Sequence, residues 1–219
     1  MTNFKLQISI GFWALFVIWD LSFGFLARAQ VAPEVILTWK ANSYAPPGYA
    51  GKALPINNSP VDVALELLDG GRVANLSNIQ IRWDLNGELY RSGAGLKNIS
   101  FVADSSKGDP LALVSFNYRG RALDKQISIP LARPEVVITG GPDIFKALPY
   151  FFNIGSPAQA KFTWSVNGNS VEGTGENPDA LNLQTDAPNG TELSIRVDAQ
   201  SLLRAIEIAS ANISYIVSR

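Results

Sequence analysis

Apolar and polar residues alternate in short runs along most of the chain, and glycine, proline and asparagine separate the runs. Val35, Leu37 and Trp39 alternate with Ile36, Thr38 and Lys40, while Val61, Val63, Leu65 and Leu67 share one face of a run that Pro60 opens and Asp69-Gly70-Gly71 ends. The cleanest alternation sets Ile79, Ile81, Trp83 and Leu85 against Gln80, Arg82 and Asp84. A period of two puts successive side chains on opposite faces of a strand, so each run predicts a half-buried β-strand. Further strands are expected near 98–103, 111–118 and 126–131, then near 136–139. More follow through Phe162, Trp164 and Val166, through Leu181 and Leu183, and through Leu193, Ile195 and Val197. Ser43–Pro55 is dense in proline and glycine and reads as a crossing loop. Near the C-terminus Ile206 and Ile208 have one parity and Ile213, Tyr215 and Val217 the other, which predicts a bulge near Ala209–Asn212. A short helix over Ser201–Ile208 is the competing reading.

The tryptophan run occurs twice. IRWDLNG (Ile81–Gly87) returns as FTWSVNG (Phe162–Gly168), and each copy closes on Asn-Gly. That pair suits a type I′ hairpin turn, whose two central residues both need φ > 0. Downstream, Gly93 and Gly95 answer to Gly173 and Gly175, Asp104 and Gly108 to Asp186 and Gly190, and Leu111 and Leu113 to Leu193 and Ile195. One β-module of roughly 80 to 100 residues has been used twice.

The expected fold class is all-β, with two tandem immunoglobulin-like β-sandwich domains after an N-terminal signal segment. The boundaries are 1–29 for the signal segment, 30–133 for the first domain and 134–219 for the second. Arg133-Pro134-Glu135 forms a short, restricted junction. Trp83 and Trp164 sit mid-strand among inward-facing aliphatics and belong to the two cores. The doubled x-W-x-x-N-G strand and the later D-x-x-x-G segment resemble tandem Ig-like and PKD-like modules of bacterial exported or surface proteins. That resemblance implies a binding or architectural role and no defined activity. The Trp-Asp-Phe-Gly-Asp-Gly signature of true PKD repeats is absent, as is the cysteine pair of antibody domains.

Residues 1–29 read as a secretory signal. Lys5 supplies a thin positive start, ISIGFWALFVIW (Ile8–Trp19) the apolar stretch, and Ala27-Arg28-Ala29 the small-x-small pattern before a cleavage point. The alternative is an uncleaved membrane anchor. The stretch falls short of the roughly 20 residues that span a bilayer, and Asp20 at its centre would cost about 2.5–3.5 kcal/mol. The expected location is extracytoplasmic: periplasm, cell surface or secreted.

Composition narrows the chemistry. There is no cysteine and no histidine, so thiol nucleophiles, the Ser-His-Asp arrangement and the usual zinc ligands are excluded. The net charge is −1 with the two signs interspersed, and no basic stripe suggests nucleic acid. Ser92–Lys97 (SGAGLK) lacks the spacing of a phosphate loop and reads as a turn. Asp104, Asp109, Asp143, Asp179 and Asp186 form no closely spaced calcium set. No catalytic residue, cofactor or metal site is therefore expected, and the protein is read as a non-enzyme. Asn57, Asn75, Asn98, Asn189 and Asn212 begin Asn-x-Ser/Thr sequons, which matter only in a eukaryotic secretory path.

Aromatics in loops are enriched at binding surfaces, so Tyr44 and Tyr49, with Pro46 and Pro47, and Tyr150, Phe151 and Phe152 form the candidate contact surface. The opposing reading has them plug the sandwich ends or the domain junction. The expected function is adhesion, surface architecture or partner binding at the envelope, with a protein or polysaccharide partner. A carbohydrate-binding accessory module, marked by a row of exposed aromatics on one sheet face, is one alternative. A periplasmic chaperone of the pilus-assembly type, marked by a basic inter-domain cleft, is the other.

Overall fold

The computed structural model describes residues 32–141, 144–175 and 177–218. The signal segment and Asp143 lie outside the described residues. The first half contains β1 (Glu34–Ala41), β2 (Pro60–Asp69), the two-residue β3 (Arg72–Val73), β4 (Gln80–Leu85), β5 (Glu88–Ala94), β6 (Asn98–Val102), β7 (Leu111–Tyr118) and β8 (Arg121–Ser128). The second contains β9 (Glu135–Gly140), β10 (Ile144–Tyr150), β11 (Ala160–Val166), β12 (Asn169–Val171), β13 (Ala180–Asn182), β14 (Glu192–Ser201) and β15 (Ile208–Ile216).

Both halves have one topology. In the first, β2 lies between β1 and β6, and this sheet faces a second with the order β5-β4-β7-β8. In the second, β10 lies between β9 and β13, facing β12-β11-β14-β15. Every ladder is antiparallel. The chain is thus two tandem immunoglobulin-like sandwiches, each wrapped around its own core.

The cores follow from the alternation. Val61, Val63, Leu65 and Leu67 of β2 meet Ile81 and Trp83 of β4 and Ala112, Val114 and Phe116 of β7. Phe145 and Ala147 of β10 meet Phe162 and Trp164 of β11 and Ile195, Val197 and Ala199 of β14. Trp83 and Trp164 are fully enclosed. Each indole N–H is satisfied just before the next strand of the opposite sheet, Trp83 Nε1 donating to Leu96 O at 2.8 Å and Trp164 Nε1 to Pro178 O at 3.2 Å. A buried indole needs such a partner, because an unmatched donor costs about 1–3 kcal/mol.

The Asn-Gly turns also match. Asn86 and Gly87 have φ of 54° and 84°, Asn167 and Gly168 of 50° and 81°. Each asparagine then ties the sheet together, its Oδ1 accepting the N–H of Leu111 in one half and of Ser194 in the other, both at 2.9 Å.

The register of the repeat is corrected by the pairing. Trp83 lies opposite Val114 and Trp164 opposite Val197, so Leu111 corresponds to Ser194, not Leu193. Ala112 has the buried parity of Ile195, and Pro110 takes the place of Leu193. The Asn86–Leu111 interval is 25 residues and the Asn167–Ser194 interval 27, which shifts the register of the second copy. Gly95 and Gly175 differ too: Gly95 has φ +68° and passes within 2.8 Å of Ser77 O at its would-be Cβ, whereas Gly175 faces open space.

The predicted bulge near Ala209–Asn212 is absent, since β14 and β15 pair without a break from Glu192↔Ile216 to Gln200↔Ile208. Ile206 precedes the strand in a loop and Ile208 faces solvent at its start, so neither had to share the parity of Ile213 and Tyr215. Ser201–Ile208 is not helical but a bend and turn leading into β15. The register shift that does occur lies between Trp83 and Asp84, where Tyr90 is the extra residue of β5.

Candidate functional site

The candidate aromatics come together, but against each other across the two halves. The crossing loop between β1 and β2 runs onto the segment after β10. Tyr44 N–H donates to Phe152 O at 2.8 Å, and Phe151 N–H donates back to Tyr44 O at 2.7 Å. The Tyr44 side chain packs against the second core. Burial raises its hydroxyl pKa, and the nearby Asp179 carboxylate raises it further. Tyr49 stands edge-on to Tyr150, with centroids 5.4 Å apart, and to Phe151 at 6.0 Å. The Tyr49 ring folds over Gly51, where a Cβ would lie 2.4 Å from the phenolic oxygen, so a larger residue there would make the ring shift.

Phe151 and Phe152, expected on an outward contact surface, are buried. The reason is the double backbone bond with Tyr44, which turns them inward and holds Phe151 at φ 62°. Tyr44 and Tyr150 are half-buried, and Tyr49 is 39% exposed.

Beside the rings lies a polar cluster centred on Asn153. Its Oδ1 accepts from the Ser59 hydroxyl at 2.6 Å. Its Nδ2 donates to Asn57 O at 3.0 Å and to Glu207 Oε1 at 2.8 Å, and its backbone N–H to Glu207 Oε2 at 2.9 Å. Ser59 in turn accepts from Ile56 N–H at 2.9 Å. Arg204 donates to Asn58 O at 3.2 Å and lies 3.5 Å from Glu207 Oε1. Ser59 and Glu207 are buried, and their polar atoms are matched. A buried carboxylate is tolerated only with such partners.

Sequence reasoning missed Asn153, Ser59, Arg204 and Glu207. The signal was there for Glu207, a lone acidic residue inside SLLRAIEIAS. A carboxylate in a largely apolar stretch needs a partner, and Arg204 lies three residues before it.

Other carboxylates have local tasks. Asp104 Oδ1 accepts from Ser106 N–H at 3.0 Å, Asp109 from Leu131 N–H at 2.9 Å, and Asp179 lies 3.7 Å from Lys146. No group of three metal-ligating side chains occurs among the described residues. A groove of about 430 Å³ lies between β5 and β6, lined by Leu85, Glu88, Tyr90, Phe101, Val102 and Asp104 among others. The Tyr90 hydroxyl donates to Ser100 O at 2.6 Å. Among the described residues, no helix is long and apolar enough to cross a membrane.

No family model matches the chain, and no curated protein matches it. Solved structures of similar fold include the three N-terminal domains of the bacteriophage RB49 highly immunogenic outer capsid protein, at 9% identity and a TM-score of 0.46, covering 85% of this chain and 59% of that one. The chain thus spans little more than half of that structure. Fibronectin(III)-like modules of CbhA from Clostridium thermocellum match at 12% identity and a TM-score of 0.31, over 84% and 94% of the two chains. A tandem pair of titin Ig domains matches at 10% identity and a TM-score of 0.26, over 85% and 98%. Likenesses this loose carry no ligand or activity across, and the fold class rests on the strand order itself.

Proposed function

We propose that the protein is an exported, non-catalytic module of the cell envelope that holds two Ig-like domains in one fixed relation and offers their sheets and edges to a protein or polysaccharide partner. The observation that carries this reading is the Asn153 cluster. Loops at the ends of such sandwiches are the usual places for a site, and here they are spent on joining the halves. A fixed spacer has use for that arrangement; a hydrolase has not. The apolar Ile8–Trp19 stretch and Ala27-Arg28-Ala29 favour export with cleavage after Ala29.

Two features weigh against the alternatives. Tyr49 is the one aromatic among the strongly exposed large apolar residues described, so no sugar-stacking row lines a sheet face. Arg204, which reaches across the junction to Asn58 O, is paired with Glu207 rather than free in a basic cleft.

Intact mass of the protein recovered from the envelope, together with assays on glycan, ester, peptide and phosphate substrates, tests the proposal. A chain beginning at Gln30 and inert toward all four agrees with it. Retention of residues 1–29, or turnover that disappears when one loop carboxylate is changed, contradicts it.

A further inference from the structure

The two halves differ most at their last strand. β8 and β15 occupy corresponding edges of the two four-stranded sheets, one in each half. β8, RALDKQIS, carries Arg121, Asp124 and Lys125. β15, IASANISYI, runs for nine residues with no charge, proline or glycine. Exposed edges are ordinarily blunted by charge, proline or a bulge, because their free N–H and C=O groups template another strand. β15 has none of these guards.

Its hydrogen-bonding phase is fixed by its ends. Ser201 N–H donates to Glu207 O, and Val217 N–H to Thr191 O, both at 2.9 Å. Bonded pairs recur every second residue in an antiparallel ladder. Ala209, Ala211, Ile213 and Tyr215 therefore bond inward to β14, while the backbones of Ile208, Ser210, Asn212, Ser214 and Ile216 point outward, where β15 has no neighbour in its sheet. The side chains of those residues do not obstruct the edge. Ser210 and Ser214 hydroxyls donate back to Asp198 and Glu192 of β14, and Asn212 Oδ1 accepts from Ser194 hydroxyl at 3.0 Å.

We infer that β15 is a self-association site, pairing antiparallel with β15 of a second copy about a two-fold axis at Asn212. The occupant follows from the order of residues. Read from either end, the outward-pointing set is Ile-Ser-Asn-Ser-Ile. The axis sets Ile208 opposite the partner's Ile216, Ser210 opposite the partner's Ser214, and Asn212 opposite its own copy. Every outward N–H and C=O of the strand then finds a partner. On the inner face Ala209 meets the partner's Tyr215 and Ala211 the partner's Ile213, small against large. Ile208 and Ile216, 55% and 63% exposed, become covered at both ends of the contact. A two-fold contact must be self-complementary in this sense.

Sedimentation of the purified protein tests it. The wild type is expected to run as a dimer. Asn212→Lys and Asn212→Asp, each setting like charges face to face on the axis, should weaken association roughly tenfold or more and run as monomers. An equimolar mixture of the two should form dimers again. A wild type that stays monomeric at every concentration reached, or variants that dimerise as well as the parent, overturns the inference. Should either charge variant fail to fold, Asn212→Cys answers the same question, because the chain has no other cysteine. Oxidation should link it to itself rapidly, and linkage no faster than for Lys125→Cys on β8 overturns the inference.

Discussion

The Ser59 hydroxyl donates to Asn153 Oδ1 at 2.6 Å, joining residues 94 positions apart on opposite sides of the domain junction. Asn153 completes the link by donating to Asn57 O on one side and Glu207 on the other. One side chain thus bonds the loop that opens β2, its own segment after β10 and the loop between β14 and β15. Tyr44 seals the same junction with apolar surface by entering the second core. Arg133-Pro134-Glu135 is a short connection, and these contacts join the halves beside it.

The two tryptophans should be independent anchors. Trp83→Ala and Trp164→Ala each leave a large cavity in a separate core and should cost about 3–5 kcal/mol. Calorimetry should show each change lowering mainly the transition of its own half. A variant that melts like the parent would place that indole outside the core.

The turn asparagines should matter in equal measure. Asn86→Ala removes the bond to Leu111 N–H and leaves an alanine at φ near 54°, for a combined cost of about 2 kcal/mol. Asn167→Ala, with the same bond to Ser194, should cost a similar amount. Urea denaturation measures both. Replacement without loss of stability would show that the turns contribute nothing specific.

Acid should weaken the fold in part through two matched Arg-x-Asp pairs. Arg82 donates from Nε and Nη2 to Asp84 at 2.6–3.1 Å, and Arg196 does the same to Asp198 at 2.7–3.2 Å. These hydrogen bonds hold both carboxyls below the usual carboxylate range. A lowered folded-state pKa gives stability that is complete above the unfolded value of about 3.9 and is lost as pH falls through the folded value. Melting temperature should therefore drop below about pH 4, and Asp84→Asn should flatten that drop while lowering stability at neutral pH. An acid limb unchanged by Asp84→Asn contradicts this assignment.

The sandwiches were legible because Trp83 and Trp164 sit in period-two runs ending in Asn-Gly, a local pattern with one physical reading. The register of the repeat was not. Leu111 matches Leu193 in type, but the loop before each strand differs in length, and only pairing across the sheet reveals Ser194 as the counterpart. The junction was legible by half. Loop aromatics signalled a contact without saying whether it lay within the chain, and Phe151 and Phe152 turned inward once Tyr44 supplied a backbone partner. Asn153 carried no signal of its own, since an asparagine among aromatics becomes a hub only when Ser59 and Glu207 arrive from elsewhere.

Spin-label distances test the fixed relation of the two halves most directly, because the chain has no cysteine to interfere. Labels at Arg91→Cys on β5 and Ser170→Cys on β12 report across the junction, with unlabelled protein added to suppress distances between copies. The account predicts one narrow distance distribution in the parent and a broad one when Asn153→Ala is added. A parent distribution that is already broad, or one that stays narrow without Asn153, would contradict it.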